Sequence, residues 1–303
     1  MMNSGFNSHF LSVFERSNLK PPPIWLMRQA GRYLPEYQEV RKKADSFWTM
    51  CMTPDLSVEV TLQPIKRFDF DAAIIFSDIL VIPHALGQKV RFEDGVGPII
   101  EPLSDVGSLI RDKTVWRDKL SPVYEALKNT RETLAEDKAL IGFAGAPWTL
   151  AAYMLEGRGT KDQGSARLYA YRNRDSFSEL LDLLSDAVAT HLICQLEAGA
   201  NVVQIFDSWA GGLPEDAFRD WVIAPTKRAV ATVRRKYPKA LIIGFPRQAT
   251  QSGLESFVAD TNVDAVSIDT ATAIKWAVGK LGSDVVLQGN LDPLTLVAGG
   301  EVL

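Results

Sequence analysis

Short, uninterrupted apolar runs recur along the 303 residues, each separated from the next by a polar stretch or one with helical spacing. They occupy residues 24–27, 72–76, 139–143, 202–206, 241–245, 263–268 and 285–288. Strands with one wet face alternate apolar and polar residues. Continuous runs mark strands covered on both faces, as in a parallel sheet flanked by helices. The clearest helical segment, from Ser176 to Ala198, places Phe177, Leu180, Leu181, Leu184, Val188 and Leu192 on one stripe. Thr53 followed by Pro54 reads as the N-cap and first residue of another helix. Residues 88–92 and 98–100, on either side of Glu93-Asp94-Gly95, read as a small hairpin after the second strand.

Two α/β architectures fit this order: an open doubly wound sheet and a closed barrel. An open nucleotide-binding sheet carries a glycine-rich phosphate loop after its first strand. Here that position holds Arg28-Gln29-Ala30-Gly31-Arg32, with neither GxGxxG nor GxxxxGK[ST]. The expectation is therefore a (β/α)8 TIM-type barrel over residues 1–303 as one domain, a length such barrels commonly have. The seven runs fall one short of eight strands.

Composition removes several function classes. A net charge of −4 argues against non-specific nucleic-acid binding. No charged start leads into an apolar run near the N-terminus, and no apolar stretch approaches the length of a membrane span. Cys51 and Cys194 stand far apart without CxxC spacing, which suits a reducing compartment and no disulfide framework. The expectation is a cytoplasmic enzyme. The histidines are His9, His84 and His191, and no HExxH or HxC pattern occurs, so no metal site is expected. His191 lies beside the apolar stripe of its helix and reads as structural.

Barrel active sites are built at the C-terminal ends of strands. The residues just past each run are Arg28 and Arg32, Ser77 and Asp78, Trp148 with Tyr153, Asp207 and Ser208, Arg247, Asp269, and Asn290. Arg28 and Arg32 would suit a substrate bearing several carboxylates, because guanidinium makes forked bonds to that group. Salt bridges to Glu36 or Glu39 are the alternative. Asp78 sits in Phe76-Ser77-Asp78-Ile79-Leu80-Val81, an acid among apolar neighbours. Burial of a carboxylate needs compensation, so Asp78 is either a cap for a short helix or the counter-charge of a cation. Tyr153 could face the cavity or pack in the core. Ser208 has no GxSxG surroundings and reads as a donor rather than a nucleophile.

The string PIWLMRQAGRYLPEY at residues 23–37 resembles a hallmark of the uroporphyrinogen decarboxylase family, as does TLQPIKRFDFDAAIIFSDILVIPHALG at 61–87. IGFAGAPWTLAAYMLEG, QIFDSWAG, IGFP and LQGNLDP follow in order, so the resemblance covers nearly the whole chain. It implies a homodimeric barrel without metal or organic cofactor. The implied activity removes carboxyl groups from the four acetates of uroporphyrinogen III to give coproporphyrinogen III, a step of haem synthesis. On this resemblance Arg28 and Arg32 match substrate-binding arginines, Arg28 also being a candidate proton donor. Asp78 matches the catalytic acid facing the pyrrole nitrogens. Tyr153, Ser208 and the more peripheral Arg41 match further substrate contacts, as do the backbone groups of Gln29, Ala30 and Gly31.

The chain departs from the family pattern in three places. The family continues for a few tens of residues past LQGNLDP, through a last strand, an Asn-Leu-Gly-His-Gly-type motif and a closing helix. Here the sequence stops at Leu303, so a barrel without its last βα unit is expected. Arg247-Gln248-Ala249-Thr250 stands where bacterial relatives are glycine-rich, and Asp269-Thr270-Ala271 where Asp-Trp-Thr is common. Two rival readings follow: an inactive truncated family member, and a corrinoid-dependent methyltransferase on the same barrel, which would need a His-x-Cys…Cys zinc site.

Overall fold

The computed structural model describes residues 8–15, 19–93 and 97–303. In chain order the strands are β1 (Ala72–Ile74), the pair β2 (Val90–Glu93) and β3 (Gly97–Ile100), then β4 (Ala139–Gly145), β5 (Val202–Asp207), β6 (Leu241–Pro246), β7 (Ala265–Ser267) and β8 (Val286–Gln288). Apart from the β2–β3 hairpin they lie side by side in sequence order, every neighbouring pair parallel. Helices cross between them, chief among them Lys113–Thr133, Arg174–Glu197, Ala224–Lys236 and Gln251–Thr261. This is the wall of a (β/α) barrel, the predicted class.

Burial on both faces explains the unbroken apolar runs. Inward-pointing Ala72, Ile74, Ala139, Ile141, Val202, Ile243 and Ala265 form one buried cluster, which Phe10 and Leu11 join from the N-terminal segment. Their sequence neighbours Ala73, Leu140, Val203, Ile242 and Val266 face outward into the larger core beneath the helices. Successive residues of a strand point to opposite sides, so both sets had to be apolar.

The first run departs from expectation. Residues 24–27 form no strand, although they lie along the free edge of β1. One backbone bond joins them, from the Asp71 N–H to the Ile24 carbonyl at 3.0 Å. The Ile24 N–H is drawn instead to the Asp71 carboxylate at 2.6 Å. The three prolines just before it supply no donors, so a ladder cannot propagate. The Gln29 side chain takes the ladder's place. Its Oε1 accepts from the Ile74 N–H at 3.3 Å, and its Nε2 donates to the carbonyls of Ala72 and Leu26 at 3.1 and 3.2 Å. A primary amide carries the same donor and acceptor as a peptide, so β1 keeps a partner without a strand beside it.

At the other edge, β8 has no strand beyond it among the described residues, and without 24–27 the sheet has six strands rather than the seven expected. Side chains bridge the opening. The Trp25 indole N–H donates to Gln288 Oε1 at 3.0 Å, while Gln288 Nε2 donates to Gln204 Oε1 at 3.2 Å and Ser267 Oγ at 2.6 Å. A polar chain thus runs inside the barrel from β5 to β8 and across to the N-terminal segment. The helix Pro293–Ala298 then leaves Leu294 and Val297 exposed at 73% and 83%.

Other expectations fared variously. The hairpin pairs Val90 with Ile100, though Asp94 and Gly95 lie outside the described residues. Thr53 and Pro54 hold the N-cap and first positions of a helix that runs to Phe68, as expected, although the Thr53 hydroxyl makes no capping bond. The helix expected from Ser176 to Ala198 spans Arg174–Glu197. His191 is buried on it with Nδ1 3.0 Å from the Tyr124 hydroxyl, and burial lowers its pKa to about 3, so it stays neutral. Cys51 and Cys194 are free and buried.

Replacing Trp25 with Phe leaves Gln288 Oε1 without its donor. Unsatisfied buried groups cost about 1–3 kcal/mol, and urea unfolding of Trp25→Phe is expected to show a loss of that size. An unchanged midpoint would mean the bridge contributes nothing to closure.

Candidate active site

Asp78 owes its position to the end of β1. Ile75 extends the pairing by donating to the Ile141 carbonyl at 3.0 Å. Two hydroxyls of the helix Pro54–Phe68 then seize Phe76. Thr61 Oγ1 accepts from its N–H at 2.9 Å, and Ser57 Oγ donates to its carbonyl at 2.7 Å. Ser57 and Thr61 are four apart and share a helical face, so both reach the same peptide. The turn that follows is pressed against β4, where a Cβ on Gly145 would lie 3.0 Å from Ile79 and 2.8 Å from Leu150. Only glycine permits that approach.

In this turn Asp78 Oδ1 accepts from the Leu80 N–H at 2.9 Å, just ahead of the short helix Val81–Ala85. This is a turn bond two residues on; the helix has Leu80 as its N-cap with no side-chain capping bond, a correction to the capping alternative. Burial raises the carboxyl to about 6, against the opposing pull of the Leu80 N–H and the Arg28 guanidinium. Tyr153 is raised by burial and then by the Asp78 charge, with the Trp209 hydrogen bond and Arg28 acting in the other direction. Arg28, Asp78 and Tyr153, predicted from three different strand ends, thus lie within one another's field.

The arginine loop is anchored from below. With the Gln29 side-chain amide spent on β1, the Gln29 backbone carbonyl accepts from the Tyr33 hydroxyl, and the Gly31 carbonyl accepts from the Leu34 N–H at 3.0 Å. Gln29 is 1% exposed, while Arg28 and Arg32 are exposed. Their anticipated acidic partners are engaged elsewhere: Glu36 makes a forked pair with Arg67, and Glu39 binds Lys42. A Cβ on Gly31 would meet nothing closer than the Tyr33 ring at 3.6 Å, so packing does not demand a glycine there. Ala30 packs against the cluster of Leu34, Tyr37 and Met50.

Arg41, on the helix Pro35–Lys43, donates to the Ala44 carbonyl at 3.4 Å. Arg41 and Arg32 both counter the burial that raises the Tyr37 hydroxyl, so both lie near it. Cys51, raised well above its ordinary value by burial, feels the Asp78 charge as well and links the two groups of residues. Ser208 is half-buried between Asp207 and Trp209, and the Trp209 ring meets that of Tyr153 at 5.9 Å.

Not every strand-end residue joins the site. Asp269 accepts from the Gln248 N–H at 2.6 Å, and Asn290 donates to the carbonyls of Asp269 and Thr272 at 2.8 and 2.7 Å. These are loop fastenings. The Gln29 side chain, by contrast, was absent from the sequence reading, which had assigned only its backbone. Nothing in an isolated Gln announces that it will stand in for a peptide. No group of three or more His, Cys, Asp or Glu among the described residues is placed to hold a metal ion.

The profile of one family, uroporphyrinogen decarboxylase (URO-D), matches residues 6–303. A uroporphyrinogen decarboxylase of Chelativorans sp. is 53% identical over 285 residues, covering 93% of this chain and 82% of that protein. One from Brucella anthropi is 52% identical over 299 residues, covering 97% and 85%. Among solved structures, a methyltransferase from Methanosarcina mazei superposes with a TM-score of 0.77 at 17% identity, over 96% of this chain and 85% of that one. That likeness speaks to the fold alone.

Gln29→Ala removes the surrogate peptide and frees the arginine loop. Chemical denaturation is expected to show a loss of about 1–3 kcal/mol for each buried group left unpaired. Full stability in Gln29→Ala would show that β1 does not need this partner.

Proposed function

This chain belongs to the uroporphyrinogen decarboxylase family, and from that premise we infer that it removes the carboxyl groups of the four acetate side chains of uroporphyrinogen III, yielding coproporphyrinogen III in haem biosynthesis. The observation that carries the reading is Asp78, a carboxylate held in an apolar turn at a strand end, with Arg28 and Tyr153 in its field.

The chemistry needs such a group. Losing CO₂ from a pyrrole acetate leaves an electron pair that must go somewhere. Protonation of the ring α-carbon next to the carbon bearing the acetate turns the pyrrole into a delocalised cation. The C–CO₂⁻ pair then flows into that cation as CO₂ leaves, giving an exocyclic methylene that takes up a proton at its carbon to become methyl while the ring α-carbon gives back the proton it had gained. The protonated pyrrole is its own electron sink, so the sequence of steps calls on no metal or organic cofactor. Asp78, accepting from the pyrrole N–H groups, stabilises the positive charge as it develops, in a site whose partial burial strengthens the interaction. Arg28, Arg32 and, further out, Arg41 bind the carboxylates of the substrate, with the backbone of Gln29, Ala30 and Gly31 alongside. Guanidinium is a weak acid, so Arg28 acts first as a carboxylate ligand and second in proton delivery. Tyr153 and Ser208 offer hydroxyls from the segments that follow the neighbouring strands β4 and β5.

The methyltransferase reading gains nothing from the shared fold, because its His-x-Cys…Cys donor set is missing from the sequence. No helix among the described residues is long and apolar enough to cross a membrane. The reading extends to one barrel domain over residues 1–303 working as a cytoplasmic homodimer, for which sedimentation equilibrium at micromolar concentration is the check on assembly.

The test is anaerobic turnover of uroporphyrinogen III, with products separated by carboxyl count. Stepwise loss of four carboxyls is expected, and a folded protein without turnover would favour the inactive-member alternative. Asp78→Asn should lower kcat by about 10²–10³ with an unchanged circular dichroism spectrum. The pH profile follows from the raised carboxyl. Asp78 must be ionised to meet the cation, so kcat/KM should fall as pH drops through about 6 and reach about a tenth of its plateau one unit lower. A flat profile between pH 5 and 8 would remove Asp78 from the charge-bearing role.

A further inference from the structure

Asp207 and Thr149 are buried at the edge of the site and have no part in the chemistry above. Thr149 sits in the first turn of the helix Pro147–Glu156, and Tyr153 lies four residues on, along the same face. The Thr149 hydroxyl donates to Asp207 Oδ1 at 2.6 Å, and the same oxygen accepts from the Trp209 N–H at 3.1 Å. The direction of this chain is settled by its members. A backbone N–H can only donate, so the single hydroxyl proton must point to Asp207.

Trp209 is held twice more: its carbonyl accepts from the Trp148 indole at 2.8 Å, and its ring lies against Tyr153. Asp207 fastens the loop by its backbone as well, its carbonyl accepting from the Arg247 N–H at 3.0 Å and the Ala210 N–H at 3.3 Å. The carboxyl is 2% exposed, and its Oδ2 has no partner. Burial pushes it up to about 7. A costly, half-satisfied acid in this position needs a return beyond local packing.

We propose that Thr149 and Asp207 form a buried clamp that positions Tyr153 and Ser208 against the tetrapyrrole, by tying the helix that carries Tyr153 to the loop that carries Ser208. They are positioning residues and do not touch substrate. One hydroxyl bonds both the carboxylate and the backbone of the Ser208 loop. Without it, the Trp209 N–H and Asp207 Oδ1 each lose a partner, leaving the Trp148 bond and the Tyr153 ring contact to hold the helix to the Ser208 loop. The clamp rests on the decarboxylase reading for its substrate, but its geometry is independent of which polycarboxylated tetrapyrrole is bound.

The experiment compares Thr149→Val, which keeps the shape and removes the hydroxyl, with Thr149→Ser, which keeps the hydroxyl. Affinity for uroporphyrin, a stable oxidised probe, is read by tryptophan quenching beside anaerobic turnover of uroporphyrinogen III. Thr149→Val is expected to weaken uroporphyrin binding and kcat/KM by about tenfold, the size of one lost interaction of about 1.4 kcal/mol. Thr149→Ser should stay within about twofold on both readouts. In Tyr153→Phe, adding Thr149→Val should cost much less than it does in the parent, because the two act through one element. Wild-type affinity and turnover in Thr149→Val would overturn the clamp, and so would losses that simply multiply in the double variant. Asp207→Asn keeps the Oδ1 acceptor and the side-chain shape, which secures the test should Thr149→Val not fold. It should retain activity within about threefold, whereas a loss as deep as that of Asp78→Asn would make Asp207 a catalytic group and end the positioning role. Absence of turnover in the wild type would count against the decarboxylase reading alone, since the binding comparison still decides the clamp.

Discussion

The Gln29 amide, laid along the free edge of β1, is the contact on which the site depends most. A strand edge presents unpaired N–H and C=O groups that must be satisfied if they are to be buried. Here one side chain meets Ile74 and Ala72 with the same donor and acceptor geometry a neighbouring strand would supply. The residue that does this stands between Arg28 and Arg32 in the same short loop. Satisfying the edge of β1 therefore also fixes where the guanidiniums emerge, and β1 leads directly to Asp78. One buried amide couples the two charges of the proposed site, positive and negative, to a single strand.

The same economy recurs across the opening of the sheet. Trp25 and Gln288 are 263 positions apart, yet their side chains meet inside the barrel. Gln204 and Ser267 join them, so polar residues line an interior otherwise filled by apolar side chains. Such a network is stable only because its members find partners within it. An interior of this kind lets the mouth above it stay polar while the floor remains packed.

Electrostatics at the mouth follow from how unevenly water is excluded. Asp78 and Asp207 both sit at the ends of strands, and burial raises both. Asp78 is open enough to meet a ligand, with Arg28 to draw it down. Asp207 is closed off and answered by Thr149, through its hydroxyl and its backbone. Two acids in similar surroundings thus suit separate tasks in the proposed reading, one facing the cation and one holding the wall.

Much of the architecture could be read from residue order. Unbroken runs such as 139–143 and 202–206 became central strands because helices cover one face and the barrel interior the other, and that double burial is written into composition. That Asp78 and Tyr153 would lie near each other was legible because segments that follow the strands of a parallel sheet gather at one end, and Arg28 joins them from a segment that is not a strand. The run at 24–27 misled for a physical reason. It is apolar enough for a strand, but whether a segment joins a ladder depends on its neighbour's free N–H and C=O groups, and Asp71 and Gln29 had claimed them. The reach of the Gln29 side chain, the Thr149 bond to Asp207 and the distance from Trp25 to Gln288 were decided by tertiary structure alone. Each joins residues remote in sequence through one directional hydrogen bond, and such a bond leaves no periodicity in the chain that makes it.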